Sequence, residues 1–237
     1  TLIGALAGDT LTDADFNVAL GTHTLTADTL GSKSTALGYF SLGNQNFTTA
    51  TDSFNTAVGY HAGLAVTTGV ENTFLGGLAG DAITTSEGNV AIGYQALTTE
   101  DTTGKATAVG WKALAQQNAG ANSYNVAVGN NAGFSVTTGV RNTFIGGLAG
   151  DGTDDGNHNT GVGYAALTVN CGDENTAVGY QSLALVTSGR NNALGWGSGD
   201  GLTSGGNNTL IGYRAGSHDV TLQTGSNNVI VGNFSDT

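Results

Sequence analysis

The sequence predicts an all-β fold, a parallel β-solenoid with about fourteen coils and a period of 17 residues. Three observations predict it. A nine-residue phrase, seen at 55–63, recurs from one end of the chain to the other; its fifth place is always glycine; and small and β-branched residues surround that glycine. Self-similarity at a fixed spacing of this size is typical of solenoids, in which each unit packs only against its neighbours.

The glycine at the fifth place sets the period. We number the places of a coil from its opening residue, so that Asn55 holds place one and Gly59 holds place five. The glycines at place five are Gly4, Gly21, Gly38, Gly59, Gly76, Gly93, Gly110, Gly129, Gly146, Gly163, Gly179, Gly195, Gly212 and Gly232. A glycine this frequent would interrupt a helix in every copy, whereas a segment such as Thr-Ala-Val suits a short strand.

Composition agrees with such a chain. Forty glycines and no proline fit many tight turns in a backbone whose N–H groups nearly all donate to neighbouring coils. The repeat runs without a break, so residues 1–237 are predicted to form a single repeat domain. Since the sequence has no methionine and starts inside a copy of the phrase, we expect a fragment of a longer fibrous protein.

The charge of the chain excludes some partners. The formal net charge is −12 and only six residues are basic, with no basic run, so we expect no nucleic-acid partner, because such partners require clustered Lys and Arg. The apolar runs are only a few residues long, which predicts no membrane insertion. Cys171 stands alone and is interpreted as a small, partly buried residue.

Each place of the coil has its own residue preference. Place four is aliphatic in all copies, from Ile3 to Val231, which predicts that it forms the interior. Place three is mostly Ala, and it is bulky every fourth coil, at Leu2, Phe74, Phe144 and Leu210. A second, weaker strand is predicted in each coil, for example at 64–69 and 134–139.

Place one is usually asparagine. Stacked at the rise of adjacent strands, about 4.8 Å, these side chains can hydrogen-bond from coil to coil. The predicted structural Asn ladder includes Asn55, Asn72, Asn89, Asn125, Asn142, Asn159 and Asn175. The acidic residues fall in the connecting stretches between phrases, which predicts a solvated acidic edge.

Place six is usually aromatic. The aromatic ladder comprises Tyr39, Tyr60, Tyr94, Trp111, Tyr164, Tyr180, Trp196 and Tyr213. Such a row is an interface between chains, a platform for sugar rings or ordinary exposed packing, and all three interpretations stay open. Because places three and four are both apolar and a strand alternates, one of them should face a partner, which favours an oligomer. Where place three is Leu2, Phe74 or Phe144, place six is small. This predicts that the side chains of places three and six share one space whose total volume is conserved.

Candidate metal and catalytic residues are few. The segment 151–157 resembles the start of a calcium loop through Asp151 and Asp155, but Val162 stands where a bidentate Glu is required. A plain acidic turn is the competing interpretation. The four histidines lack ligand spacing, and the sequence shows no nucleophile–base set or phosphate loop, so we predict neither an enzyme nor another cofactor.

The phrases at 89–97 and 175–183 carry a family likeness. They resemble the head repeats of YadA-like trimeric autotransporter adhesins and the repeats of phage tail-fibre proteins, and the likeness covers essentially the whole chain. The resemblance implies a homotrimeric parallel β-roll, extracellular, on a bacterial cell surface or a virion. Its implied partners are the other copies of the chain and a cell-surface glycan or protein receptor.

We therefore predict a structural and attachment domain of a trimeric surface fibre, in which three parallel copies raise weak contacts to useful avidity. Three alternatives remain. The chain could be a carbohydrate-binding module that uses the aromatic ladder, an ice-binding solenoid that uses its Thr-rich turns, or a tailspike that cleaves a polysaccharide with carboxylates brought together from different coils.

Overall fold

A computed structural model describes residues 1–100, 104–217 and 223–233. In these ranges the fold is an all-β parallel solenoid with a period of about 17 residues and no helix, which confirms the predicted class. The number of turns is about 13 rather than fourteen, since fourteen copies of the phrase bound thirteen intervals. Two compact units make up the chain, Thr1–Ser123 and Tyr124–Thr237. The single repeat domain over 1–237 stays a prediction.

Within residues 1–100 and 104–123, the first unit contains nine short strands. Seven of them pair in parallel in chain order, while β3 and β5 form a separate two-stranded sheet. The strands are β1 (Leu2–Ile3), β2 (Val18–Leu20), β3 (Gly31–Ser32), β4 (Thr35–Leu37), β5 (Thr51–Asp52), β6 (Thr56–Val58), β7 (Thr73–Leu75), β8 (Val90–Ile92) and β9 (Thr107–Val109).

In the part of the second unit that the structure describes, residues 124–217 and 223–233, seven strands also pair in parallel in chain order. They are β10 (Val126–Val128), β11 (Thr143–Ile145), β12 (Thr160–Val162), β13 (Thr176–Val178), β14 (Asn192–Leu194), β15 (Thr209–Ile211) and β16 (Val229–Val231). Equivalent places pair throughout, so that Phe144 stands beside Gly161 and Ile145 beside Val162. Each place of the repeat therefore forms a row that runs along its unit.

Apart from β3 and β5, the described remainder of the coils is turn and bend, and the second strands predicted at 64–69 and 134–139 are wrong. The segments 64–69 and 134–139 contain no strand. Left-handed residues bend the chain at place seven, at place nine and just before place one, as at His61 (φ 55), Gly63 (φ 60) and Phe54 (φ 50). For a residue with a side chain this conformation costs about 1–2 kcal/mol. Hydrogen bonds between coils offset that cost, for example from the His61 N–H to the Tyr39 carbonyl at 2.9 Å.

Both the backbone conformation and the close approach of the next coil require glycine at place five. Gly59 has φ +142, and a Cβ there would stand 2.5 Å from the carbonyl oxygen of Gly76. The same close approach recurs between Gly146 and Gly163, also at 2.5 Å. No other residue allows backbone contact at this distance together with this φ.

Place three forms the interior, and the prediction for place four is wrong. Ala57 and Phe74 are fully buried, whereas Leu75 is 47% exposed and Ile145 is 41% exposed. Adjacent residues of a strand point to opposite faces, so a shift of one residue inverts the assignment. A coil of three-residue strands encloses little space, and alanine at place three fits it.

A large side chain at place three is accommodated by a glycine at place nine, not by a small residue at place six. A Cβ on Gly63 would stand 2.7 Å from the Phe74 ring, and one on Gly80 would stand 2.3 Å from it. Where place three is alanine, place nine can be leucine, as with Ala91 and Leu97, which are both buried. Place six lies on the opposite side of the wall, so the predicted space shared by places three and six is wrong.

Two acidic side chains depart from the predicted solvated edge. Asp28 and Glu100 are fully buried. The Asp28 carboxylate accepts hydrogen bonds from Gln45 Nε2 at 2.6 Å and from the backbone N–H groups of Gly31 and Phe47 at 3.1 Å. The Glu100 carboxylate accepts from Gln117 Nε2 at 2.7 Å. Buried carboxylates persist only when they are hydrogen-bonded in this way.

Candidate functional site

The outer face of the strands carries an exposed apolar row at place four. Val128, Ile145, Leu194 and Ile211 are between 37% and 53% exposed in the second unit, and Leu75 is 47% exposed in the first. Contiguous apolar surface of this kind usually marks an association site. We call the place-four residues of either unit its apolar row.

A shallow groove follows the apolar row in the second unit. Its volume is about 180 Å³, and its walls include Val178, Leu194 and Ile211, with Ala193 at the floor. Thr176 and Thr209 line the opposite side, at place two. The groove runs across several coils, so it suits an elongated apolar surface better than a compact ligand.

The aromatic ladder lies on the same outer face as the apolar row. All eight of its residues are 40–55% exposed. In the second unit four rings stack in succession: centroids lie 5.5 Å apart from Tyr164 to Tyr180, 5.3 Å from Tyr180 to Trp196 and 5.2 Å from Trp196 to Tyr213. The rings are tilted by only 4–17° to one another.

This stacking restricts what the ladder can bind. Parallel rings with centroids this close must face one another, because rings lying side by side in one plane would collide. The faces of Tyr180 and Trp196 are therefore already used within the stack. A sugar ring binds an aromatic side chain through its face, so the stacked interior of the ladder is a poor sugar platform.

The first unit has a mixed cluster of aromatic and imidazole rings in the coils of Tyr39 and Tyr60. Tyr39 and Tyr60 stack at 5.7 Å, His61 lies on Tyr60 at 3.9 Å, and His23 lies on Phe40 at 4.5 Å. These contacts use places six and seven together. They bind neighbouring coils to one another through side chains on the outer surface.

The ladder is interrupted at two glycines. Gly77 holds place six between the coils of Tyr60 and Tyr94, and Gly147 holds it between the coils of Asn130 and Tyr164. In the described residues Tyr94, one coil after Gly77, makes no ring contact, and Trp111 meets only the Lys112 ammonium, 4.7 Å from its ring centroid. Tyr164 contacts Tyr180 on one side and Gly147 on the other. Each glycine therefore leaves one tyrosine face uncovered.

The Asn ladder residues are buried inside the coils and bonded from coil to coil. The backbone N–H of Asn72 donates to Asn55 Oδ1 at 3.0 Å, and Asn55 Nδ2 donates to the carbonyl of Gly69 at 2.7 Å. The backbone N–H to Oδ1 contact recurs from Asn125 through Asn142 and Asn159 to Asn175, and Asn89 Oδ1 accepts from the backbone N–H one coil on, whereas Asn159 Nδ2 is buried without a partner. The side chains close the backbone turn before each strand and leave no surface for a ligand.

The threonines of the turn edge are tied to the backbone of the next coil. The Thr67 hydroxyl donates to the Thr84 carbonyl at 3.2 Å, the Thr187 hydroxyl to the Thr203 carbonyl at 3.1 Å, and the Thr203 hydroxyl to the Gln223 carbonyl at 2.7 Å. Their hydroxyl protons are committed within the protein. This arrangement does not favour an ice-binding face, which needs a flat array of hydroxyls free to bond water.

The candidate calcium residues are not brought into a metal-like cluster. The structure groups no three His, Cys, Asp or Glu side chains in metal geometry within the described ranges. Asp155 accepts a hydrogen bond from Asn170 Nδ2 at 3.3 Å. Asp151 has one buried carboxylate oxygen without a partner, and burial raises the pKa of its carboxyl above the ordinary value despite backbone hydrogen bonds that lower it.

Cys171 is almost fully buried, at 2% exposure, where partial burial was predicted. Its sulfur lies 3.3 Å from the Thr153 hydroxyl, and burial raises the pKa of the thiol. A buried thiol with a raised pKa is unreactive at neutral pH. Cys171 therefore fills the interior and is no candidate nucleophile.

The comparisons with known proteins add no relative. No protein-family model, no curated protein and no solved structure matches the chain. Among residues 1–100, 104–217 and 223–233, no helix is long and apolar enough to cross a membrane. Function must therefore be argued from the outer face itself.

Sequence reasoning identified the rows but missed two features. The outward direction of the apolar row was missed because places three and four are both apolar. The gaps at Gly77 and Gly147 were visible as glycines at place six, yet they were attributed to volume compensation for Phe74 and Phe144. The signal that separates the two explanations is place nine, which is glycine beside each of these phenylalanines.

Proposed function

We propose that the chain is a non-catalytic repeat domain of a trimeric surface fibre that attaches a bacterial cell or a virion to a surface. The observation that carries the proposal is the apolar row, which lies along the outer face of each unit. A solvent-exposed row of this kind is unfavourable in a single chain, because contiguous apolar surface in water promotes association.

A second and a third copy of the chain are the partners that fit this row best. The row repeats once per coil, and a parallel copy of the same solenoid presents apolar residues at the same rise. The repeat phrases resemble those of trimeric adhesins and tail fibres, which supports three copies rather than two. The formal net charge of −12 suits an extracellular, soluble fibre on a bacterial cell or on a virion.

Attachment then follows from multivalency. Three copies held side by side present every surface feature three times, which raises the avidity of a weak contact by about 10²–10⁴ without any new contact. The receptor in this proposal is a cell-surface glycan or protein. Nucleic acid is a poor partner, since the six basic residues are dispersed along the chain.

A pair of charge insertions tests the proposal. Leu75→Lys and Ile145→Lys each place a cation in the apolar row, and we expect both to dissociate the trimer during sedimentation. Thr68→Lys and Thr138→Lys are matched controls, because these exposed threonines lie on the turn edge in the same pair of repeated segments. They should leave the mass unchanged.

The attachment itself is measured by flow cytometry of the fluorescently labelled protein on a panel of bacterial and animal cells. Wild-type protein should bind at least one cell type, and the dissociated variants should bind it about a hundredfold more weakly. Equal binding by trimeric and dissociated protein, or no binding to any cell by a stable trimer, would contradict the attachment function.

The alternative of a carbohydrate-binding module is favoured by one observation only, the uncovered tyrosine faces beside Gly77 and Gly147. The stacked rings around Trp196 do not favour it. An ice-binding role has no comparable support, since the turn-edge hydroxyls donate to the backbone. A thermal hysteresis assay should therefore show no activity.

A further inference from the structure

The two gaps in the aromatic ladder are not required by the fold. Gly77 and Gly147 have φ values outside the left-handed region, as do the tyrosines that hold place six in other coils. A Cβ on Gly77 would stand 3.6 Å from the Tyr94 ring, and one on Gly147 would stand 3.5 Å from the Tyr164 ring. These are ordinary van der Waals contacts, so neither backbone conformation nor space explains the missing side chain.

Each gap has the size of one ring of the stack. The ladder rings of the second unit follow one another with centroids 5.2–5.5 Å apart. Gly147 lies one coil before Tyr164 and removes one ring from that series. A flat ring placed over Gly147 could therefore contact the open face of Tyr164 as Tyr180 contacts its other face. Tyr164 is 49% exposed and Tyr180, which has rings on both sides, is 40% exposed.

The surroundings of the gap decide which ring fits. On the side away from Tyr164, the gap is bounded by Asn130, whose side chain is exposed and whose carbonyl oxygen lies 4.0 Å from the place a Gly147 Cβ would occupy. An amide side chain both donates and accepts hydrogen bonds. A pyranose ring has a flat C–H face for the tyrosine and hydroxyl groups around its rim for the amide. An aromatic side chain of a protein partner would leave that amide without a partner.

We propose that Gly147 and Gly77 are seats for one pyranose ring each of a surface glycan, with Tyr164 and Tyr94 as their stacking walls. The proposal rests on the attachment function and names the chemical class of the receptor. It assigns glycan binding to the gaps of the ladder and not to its tryptophans. Asn130 is the polar contact of the Gly147 seat, while the Gly77 seat has Tyr60 on the corresponding side.

Filling the seats tests the proposal without removing any contact of the fold. In the double variant Gly77→Tyr/Gly147→Tyr, each new side chain occupies the gap and completes the stack, so the melting temperature should stay the same or rise. Binding of the trimer to an array of pyranose oligosaccharides should fall at least about tenfold, because three copies lose both seats.

Two control variants accompany it. Gly77→Ala/Gly147→Ala adds a methyl group at van der Waals distance but leaves the gap open, so binding should stay within about threefold of wild type. Ala5→Tyr introduces a tyrosine at place six of a coil whose neighbour has Thr22 there and so offers no tyrosine wall, and it should have no effect. In the opposite direction, Tyr164→Ala/Tyr94→Ala removes the walls and should abolish array binding.

The proposal is overturned if wild-type protein binds no pyranose on the array, if the double tyrosine variant binds as well as wild type, or if the alanine and tyrosine variants lose binding equally. These results are separable from failure of the proposed function. If wild-type protein attaches to cells but binds no sugar on the array, only the proposal of pyranose binding at Gly77 and Gly147 is contradicted. If the protein neither forms a trimer nor attaches to cells, the proposed attachment function is contradicted, whatever the result on the array.

Discussion

The packing between places three and nine makes a quantitative prediction at Phe74. This ring is fully buried, and it occupies the space that leucine at place nine takes in other coils. Phe74→Ala removes the ring and leaves a cavity above Gly63 and Gly80, which should lower the free energy of unfolding by about 3–5 kcal/mol.

Gly80→Leu should be destabilising for the opposite reason. Its Cβ would stand 2.3 Å from the Phe74 ring, so overpacking should cost about 1–3 kcal/mol or more. The left-handed conformation adds about 1–2 kcal/mol. Leucine itself tolerates this backbone, since Leu97 holds place nine of the next coil with φ 52 where Gly80 has φ 58.

The double variant Phe74→Ala/Gly80→Leu restores the combination seen at Ala91 and Leu97. We expect it to lose about 1–3 kcal/mol, less than the two single changes together, which gives a coupling energy of at least about 2 kcal/mol between the sites. Urea unfolding followed by the fluorescence of Trp111, in the same unit, measures all three variants. If the loss in the double variant equals the sum of the two single losses to within about 0.5 kcal/mol, place three does not point inward against place nine.

Three further predictions concern the backbone turn, the Asn ladder and pH. Gly59→Ala should prevent folding of the first unit, because its Cβ would meet the Gly76 carbonyl at 2.5 Å; circular dichroism checks this, and a folded variant would contradict it. Asn89→Ala leaves a buried backbone N–H of the next coil unpaired and should lower the free energy of unfolding by about 2–4 kcal/mol in urea titration; a loss under about 0.5 kcal/mol would contradict it. Burial raises the pKa of Asp151 above 3.8, so its stabilising contribution is complete below its unfolded pKa and is lost as pH rises through the folded pKa. Asp151→Asn should therefore raise the melting temperature at pH 7 and leave it unchanged near pH 3, whereas the exposed Asp13→Asn should change it at neither pH.

Much of the fold could be predicted from the sequence because its period is explicit. Glycine at place five, as at Gly59, and asparagine at place one, as at Asn55, both reflect contacts between coils, and repetition exposes such contacts directly. Which side chains of the strand point inward could not be predicted from hydrophobicity, since Ala57 and Val58 are both apolar. Side-chain size carries the missing information: the buried place accepts alanine, and it accepts phenylalanine only where place nine is glycine.

The candidate site was predicted less completely. The sequence places the residues of the aromatic ladder at one place of the coil, but it gives no ring orientation, and ring orientation decides whether faces such as those of Trp196 are free. The buried carboxylate of Asp28 was missed because its partner, Gln45, lies one coil away at the equivalent place, which is apolar in several other coils, for example at Val66 and Ile83. Such pairs become visible only when equivalent places are compared between neighbouring coils.

Sedimentation equilibrium of the native protein tests the central claim most directly. The apolar row and the repeat phrases predict a single species with three times the 23.6 kDa mass of the chain, stable on dilution to nanomolar concentration. A folded species of 23.6 kDa would contradict the trimeric fibre, because the apolar row would then face water in the native protein.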